Sequence, residues 1–444
     1  MRYVLISAAA AAAFLAPAAA LADDAPGAAA PAAQAFAFHV QFTDLTQYQP
    51  AFHSAYRGAN SLDPHEEIRS TNDLTAYLGV RPWKGAEIWI NPEIDQGFGL
   101  SNTLGVAGFP SGEAYKVGAN TPYFRMQRFF LRQTVDLGGK REAVDADLNQ
   151  LAGAHSEDRL VFTVGKFSVG DVFDTNKYAH DPRNDFMNWT VIDSGTFDYA
   201  ADAWGYTYGA AAEWYRGDWT WRAGLFDLSN VPNSKTLDPH FDQFQTIAEI
   251  ERRFSLGGQP GAARVTGFLT RGRMGHFNDA LALAAATGQP ADASLVRKYS
   301  SRGGVSLTLE QQLVDDLGAF LRAGYAEGDA ESYEFTDVDR TVSAGLSLGG
   351  KRWGRADDTI GAAFVVNGAS GHRLAYLAAG GLGILIGDGK LIHSGDEAIL
   401  ETYYDLAVVK AAHLSLDYQY IQNPGYNRDR GPVSVFGLRA HLQY

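Results

Sequence analysis

The chain alternates apolar and polar residues with a period of two over many separate segments, each about 9–14 residues long. In the last segment the apolar residues are Phe436, Leu438, Ala440, Leu442 and Tyr444, and polar or small residues stand between them. The pattern recurs at 242–254, 396–408 and 412–422. Because successive side chains of a strand point to opposite faces, the pattern predicts strands with one apolar face and one polar, often charged face.

A β-sandwich would give the same alternation, and three observations favour a membrane barrel. Strands of soluble proteins have a mode of about 5–6 residues, whereas a tilted membrane strand needs about 9–11. Aromatic residues stand at strand ends, as in interfacial girdles: Trp219, Trp221, Tyr404, Tyr418, Tyr420 and Tyr444. Short connections (81–85, 216–218, 349–355, 410–412) alternate with long ones (50–72, 93–122, 168–202, 276–297, 370–394), the asymmetry of outer-membrane barrels.

The sequence therefore predicts an all-β fold, a transmembrane antiparallel β-barrel of about sixteen strands with both termini at the short-turn end. The predicted strands are 36–48, 73–80, 85–92, 123–137, 158–167, 203–215, 219–228, 242–254, 262–274, 298–310, 317–327, 334–348, 358–368, 396–408, 412–422 and 432–444. Strand 123–137 does not alternate between Arg128 and Arg132, which indicates a bulge that re-aims these side chains. Residues 140–151 could form one or two helical turns.

The amino terminus predicts export. Arg2 gives a positive start, Val4–Leu15 is apolar, and Ala20-Leu21-Ala22 is a small-x-small cleavage site, so residues 1–22 are expected to be a cleaved signal peptide. Residues 23–35 are rich in Ala and Pro and predict a flexible lead-in to a barrel domain at 36–444. No later stretch reaches the roughly 18 apolar residues of a membrane-spanning helix.

Composition excludes several classes of function. The formal charge is −14, so the chain lacks the cationic surface that nucleic-acid binding requires. The absence of cysteine removes thiolate metal sites and cysteine nucleophiles. The sequence has no HExxH and no EF-hand spacing, although Asp171, Asp174, Asn176 and Asp181 resemble an acidic calcium loop. We therefore expect neither an enzyme nor a resident cofactor or metal.

Three blocks resemble the carbohydrate-selective, OprB-like porins of Gram-negative outer membranes. They are 78–83 with 91–93, 97–101 and 107–113; Gly165–Asp174 with 178–183 and 186–189; and 202–209. The resemblance runs from about residue 70 to Tyr444 and is most specific over 160–215. It implies a barrel in the Gram-negative outer membrane that passes sugars by diffusion through a narrowed, saturable channel. The final aromatic residue is similar to the signal that such barrels present to their assembly machinery.

The long connection 168–202 interleaves charged and aromatic residues, and an irregular segment of this length in a compact fold is usually functional. Folded into the lumen it would narrow the pore, with Phe186 and Trp189 as stacking surfaces for sugar rings and Asp171, Arg183 and Asp185 as polar partners. If it stayed outside, it would be a solvated cap. Arg128, Arg132, Glu249 and Glu251 are expected to point inward from strands, where charges tune solute preference.

Three functions remain open at this level. The first is a sugar-selective channel, the second a general or anion-preferring diffusion pore, and the third a non-transporting structural or adhesive surface barrel. The polar residues on the wet face of the strands favour an aqueous lumen. Outer-membrane lipid and the permeating sugars are the expected partners, together with the assembly machinery at the C-terminal strand. A homo-oligomer is possible.

Overall fold

The computed structural model describes residues 33–114 and 118–444. In this part of the chain sixteen strands form one closed antiparallel barrel, in which each strand pairs with its sequence neighbours. The strands are β1 Phe36–Gln49, β2 Glu67–Val80, β3 Ala86–Gly97, β4 Ala119–Val144, β5 Gly153–Phe167, β6 Thr207–Arg216, β7 Trp219–Asp227, β8 Phe244–Leu256, β9 Gln259–Met274, β10 Lys298–Val314, β11 Leu317–Ala326, β12 Arg340–Gly349, β13 Thr359–Gly368, β14 Glu397–Val409, β15 Ala412–Gln422 and β16 Val433–Gln443. The predicted barrel and its strand number are confirmed.

The barrel closes where the first strand meets the last. Phe42 pairs with Leu442 and Tyr48 with Phe436, so β1 and β16 leave no free edge. β1 begins and β16 ends at the side of the barrel where the connections are short, such as 217–218, 257–258 and 410–411. The opposite end carries the long connections, of which 168–206 is the longest.

The period-two pattern separates lipid-facing from lumen-facing side chains. On β16, Phe436 and Leu438 are 46% and 44% exposed, whereas Arg439 is fully buried and His441 nearly so. The same alternation holds on β8, β14 and β15. The apolar residues therefore form the outer surface and the polar residues face the interior, the arrangement of a barrel in a membrane.

The irregular stretch of β4 contains the expected bulge. Asn91 of β3 pairs with Arg128, and the next residue, Pro92, pairs with Met126, so Gln127 is the extra residue. The bulge shifts the alternation by one position: Met126 and Phe129 are exposed, while Gln127 and Phe130 are buried. Arg128 and Arg132 consequently point to the same side as Phe130, toward the interior.

The expected helical turns at 140–151 are wrong. β4 continues to Val144 and pairs with β5 up to Gly153, with register shifts next to Gly138 and Arg141. The hairpin satisfies the backbone groups of this segment across the two strands, so a helix has no advantage there.

Three α-helices lie in long connections: α1 Trp189–Ile192, α2 Phe277–Thr287 and α3 Gly371–Ala378. Phe277 and Tyr376 pack with ring centroids 4.7 Å apart and join α2 to α3. Within residues 33–114 and 118–444, no helix combines the length and the apolarity needed to cross a bilayer. The predicted signal peptide and most of the Ala/Pro-rich lead-in lie outside the described residues.

Candidate functional site

Loop 168–206, between β5 and β6, is bonded to wall strands by inward-facing arginines. Arg322 of β11 is fully buried and donates to the carbonyls of Val191 at 2.6 Å and Ala179 at 2.8 Å. Arg439 of β16 donates to the carbonyls of Pro182 at 2.7 Å and Asp185 at 2.8 Å. Hydrogen bonds from charged donors are stronger than neutral ones, so the loop is held along much of its length.

Buried acceptors on other strands bond the loop's backbone amides. Glu401 of β14 accepts from Met187 at 2.5 Å, and Gln245 of β8 accepts from Ala200 at 2.8 Å. Together with the hydrogen bonds from β11 and β16, these contacts tie the loop to strands on opposite sides of the closed barrel.

Arg128 of β4 and Asp171 of the loop form a two-pronged ion pair. Arg128 Nε donates to Asp171 Oδ2 at 2.8 Å, and Arg128 Nη2 donates to Oδ1 at 2.6 Å. The guanidinium also lies 4.9 Å from the ring centroid of Tyr206. Burial alone would raise the pKa of Asp171, but Arg128 lowers it below its ordinary value, so the carboxylate is charged at neutral pH.

Asp171 lines two interior cavities. A cavity of about 360 Å³ lies toward the long connections, and one of about 1040 Å³ lies toward the short turns. The first is also lined by Arg128, Arg183 and Trp189, and the second by Arg132. Five of the predicted site residues thus line the interior, and Asp171 lines both cavities.

Arg183 extends from the loop into a group of carboxylates on the wall and a neighbouring connection. Its Nε donates to Glu113 at 2.9 Å, and its Nη2 lies 3.2 Å from Asp73 and 3.4 Å from Glu93. Burial would lower the pKa of Arg183, but these carboxylates raise it well above the ordinary value. Arg183 therefore stays charged and fixes the loop against β2 and β3.

Trp189, the first residue of α1, is packed among other rings. It stacks on Phe109 with centroids 5.3 Å apart and meets Phe335 edge-on at 5.0 Å. The side chain is only 5% exposed, although it lines the smaller cavity. Its indole Nε1 has no hydrogen-bond partner among the residues that the structure describes.

Three predicted residues lie away from both cavities. Phe186 is fully buried between Phe320 and Tyr403. Asp185 accepts from the amides of His180 and Asp181 and so closes a local turn. Glu249 accepts from Arg222 at 2.7 Å and from the amide of Asp174 at 2.9 Å. These three side chains stabilise the loop or its packing against the wall. Their contact with a solute stays a prediction, and this geometry does not support it.

Arg132 faces the larger cavity from β4. Its Nη1 donates to the carbonyl of Asn149 at 2.8 Å and lies 3.7 Å from Glu87. Other cations line this cavity too: Arg81, Lys84, Arg141, Arg159 and Arg222. Carboxylates accompany most of them, as in the pair of Arg141 with Asp136 at 2.6 Å.

An ionic contact between two residues of the loop also stabilises it. His180 Nδ1 lies 3.4 Å from Asp193 Oδ1. Burial alone would lower the pKa of His180, but the Asp193 carboxylate raises it to about 9. The imidazole is therefore protonated at neutral pH. In this state its Nε2 donates to the carbonyl of Gly170 at 3.1 Å.

The structure adds lining residues that the sequence reasoning did not select as site residues. Trp204 is partly exposed in the smaller cavity and has the Arg125 guanidinium 3.6 Å from one ring face. Tyr77, Tyr199 and Tyr206 line the same cavity. Trp204 and Tyr206 fall within block 202–209, whose resemblance to a porin family was the signal that could have marked them.

The acidic group resembling a calcium loop has other partners. Asp174 accepts from the amide and hydroxyl of Ser194 at 2.5 Å and 2.9 Å and from Thr308 at 2.8 Å. In the described parts of the chain, no group of three or more His, Asp or Glu side chains has the geometry of a metal site.

The model of the carbohydrate-selective porin family, the OprB family, matches residues 67–444 of this chain. The chain belongs to this family. A solved structure of Pseudomonas putida OprB at high pH matches with a TM-score of 0.70 and 16% identity, covering 92% of this chain and 94% of that one. The low-pH structure of the same protein matches with a TM-score of 0.50 and 11% identity over 92% and 93% of the two chains. No curated protein matches the chain in sequence.

Membership of the OprB family agrees with the closed sixteen-strand barrel and identifies the chain as an outer-membrane porin of a Gram-negative bacterium. Fold and family are those of a channel rather than an enzyme. The two cavities that Asp171 lines are thus part of the interior of a porin.

Proposed function

We propose that this porin gives passive, carbohydrate-selective diffusion to small sugars through a water-filled channel narrowed by loop 168–206. The observation that carries the proposal is the Arg128–Asp171 ion pair, whose carboxylate lines both interior cavities. The pair fixes a loop carboxylate to the wall and places both charges at the surface of the smaller cavity.

The narrowing is supported by the span of the loop's contacts. Inward-facing side chains of β4, β8, β11, β14 and β16 all bond to loop 168–206. A segment tied to strands on opposite sides of a closed barrel crosses the lumen, and a long loop without regular structure of its own is usually functional.

Selectivity for sugars is supported by the lining of the smaller cavity. Apolar C–H faces of a pyranose stack on aromatic rings, and its hydroxyls bond to fixed charged groups. Trp204, which is partly exposed there, offers a ring, and Arg128 and Asp171 offer a paired cation and anion. Since the ion pair has no net charge, it offers an uncharged solute both a donor and an acceptor of hydrogen bonds.

The test is conductance of the purified protein in a planar bilayer, titrated with glucose and with short glucose oligomers. We expect stepwise channels whose current falls saturably with sugar concentration. Asp171→Asn should change the apparent sugar affinity severalfold, whereas Asp357→Asn, in the exposed turn 350–358, should not. Channels indifferent to every sugar would contradict the proposal.

A general or anion-preferring pore is the second candidate, because six cations line the larger cavity. Reversal potentials in a salt gradient discriminate the two. A strong anion preference without sugar block would favour the second candidate, and weak ion preference with saturable sugar block would favour the first.

We further propose that residues 1–22 are cleaved on export and that β16 presents the assembly signal. The outward-facing Phe436 and Leu438 and the terminal Tyr444 support this role. Sugars and outer-membrane lipid are the proposed partners, nucleic acid is not, and a homo-oligomer stays a prediction.

A further inference from the structure

The lipid-facing surface of β9 changes from apolar to cationic near its long-loop end. Its outward positions from Gly261 to Leu269 are small or apolar, and the next two, Arg271 and Arg273, are exposed arginines. About 9–11 tilted residues cross the hydrocarbon of a membrane. The nine residues of the apolar stretch therefore place the two arginines at headgroup depth, in the leaflet on the long-loop side.

These arginines have no carboxylate partner among the residues described. Arg271 Nη1 donates to Ser301 Oγ at 3.3 Å, and the Arg273 guanidinium lies 5.2 Å from the ring centroid of Tyr299. Two carboxylates lie near them by register: Asp242, two residues before the Phe244 that pairs with Arg271, and Glu327, whose Oε2 accepts from the amide of Gly303 on β10. Neither carboxylate forms a salt bridge with Arg271 or Arg273, so both guanidiniums can bind an anion.

Below the arginines the outer wall has a groove of about 470 Å³. Outward side chains of five adjacent strands line it, including Val265, Leu307, Ala323, Val342 and Val366. Ala323 pairs with Leu307 on one side and Val342 on the other, so a small residue between two larger ones forms the depression. A salt bridge of 2.7 Å between Arg340 and Asp396 closes the groove at its upper end.

The groove and the arginine pair lie on the same outward face of β9. Val265 lines the groove, and Arg271 lies six residues farther on the same face, about 20 Å at the rise of a strand. A guanidinium matches the geometry of a phosphate, and an apolar groove matches an acyl chain.

We propose that this surface binds a phosphorylated glycolipid of the outer leaflet, with its phosphate at Arg271 and Arg273 and one acyl chain in the groove around Ala323. The two unpaired guanidiniums select this occupant over a second copy of the chain, whose apolar barrel face would leave both arginines without an anion. The site is separate from the channel, so it stands independently of the proposed function.

The test is native mass spectrometry of the purified protein titrated with bisphosphorylated lipid A. We expect the wild type to bind lipid A, and the Arg271→Gln/Arg273→Gln variant to bind it at least tenfold more weakly. The matched control is Arg252→Gln/Lys351→Gln. This control also removes two exposed charges, but both lie at the short-turn end. Like Arg273, Arg252 lies near an aromatic ring, 5.1 Å from the ring centroid of Trp219. The affinity of the control variant for lipid A should equal that of the wild type.

Three further measurements make the result decisive. Lipid A without its phosphates should bind the wild type at least tenfold more weakly, and Ala323→Trp, which fills the groove without changing charge, should also weaken binding. Heat-modifiable mobility on gels establishes that each variant is folded. The proposal is overturned if the double arginine variant binds within twofold of the wild type, if the dephosphorylated lipid binds equally well, or if inorganic phosphate binds as strongly as lipid A. A dimer that Ala323→Trp dissociates, with lipid binding unchanged, would assign the groove to a second copy instead.

Discussion

Arg128 and Asp171 are joined by two parallel hydrogen bonds of 2.8 Å and 2.6 Å between the barrel wall and loop 168–206. Their side chains are 13% and 27% exposed, so both remain accessible to solute in the interior. Asp171 lines both interior cavities and Arg128 lines the smaller one, so we expect the pair to influence which solutes pass.

The first prediction concerns this pair as a unit. Arg128→Gln and Asp171→Asn should each raise single-channel conductance. Each substitution breaks the ion pair, so the remaining partner and the loop segment around residue 171 are no longer fixed to the wall. The double variant should differ little from either single variant, since residues in direct contact are non-additive. Additive changes in conductance would show that the two side chains act separately.

The second prediction concerns Trp204. Trp204→Ala should weaken saturable block by glucose oligomers by about tenfold while leaving the open-channel current equal or larger, because stacking of an aromatic ring contributes about 1 kcal/mol or more. Trp353→Ala, in the short turn 350–358, is the matched control. Equal loss of sugar block in both variants would remove Trp204 from the site.

The third prediction concerns Arg183. Arg183→Met leaves Asp73, Glu93 and Glu113 buried without their shared cation, and removing one partner of a buried ion pair costs about 3–5 kcal/mol. Limited proteolysis should then cut loop 168–206 faster. Arg216→Met, at an exposed position of β6, should digest like the wild type.

The fourth prediction concerns pH. The folded pKa of His180 is about 9, above its ordinary value of 6.5, so its contact with Asp193 stabilises the loop fully below about pH 6.5 and is lost as the pH rises through about 9. Hydrogen exchange of the loop amides, corrected for the intrinsic rate, should increase between pH 7 and pH 10. His180→Gln should be less protected at pH 7 and should lose most of this dependence. An unchanged pH profile in the variant would contradict the assignment.

The fifth prediction concerns the barrel seam. Tyr444 and Val40 exchange backbone hydrogen bonds of 2.9 Å and 3.0 Å, and Phe436 faces lipid. Deleting Tyr444, or the substitution Phe436→Asp, should lower the amount of heat-modifiable protein in the outer membrane, because one change shortens the seam and the other places a charge in lipid. Phe436→Leu should insert normally. Wild-type levels of folded protein in both test variants would count against the prediction.

The sequence by itself determined the barrel. A period of two decides which face each side chain takes, so the apolar outer face and the polar interior follow from residues such as Phe436 and Arg439 without any long-range information. The bulge near Arg128 was also predictable, because local alternation fails there. Both properties depend only on neighbours along the chain.

Only the tertiary structure decided which residues line the channel. Asp171, Asp185, Phe186 and Trp189 lie in one irregular loop without periodicity, so their composition could not separate the carboxylate that lines both cavities from the one that closes a turn. Phe186 meets Phe320 and Tyr403, which are more than 130 residues distant in sequence. Contacts of this kind depend on how the barrel closes, and no local pattern records them.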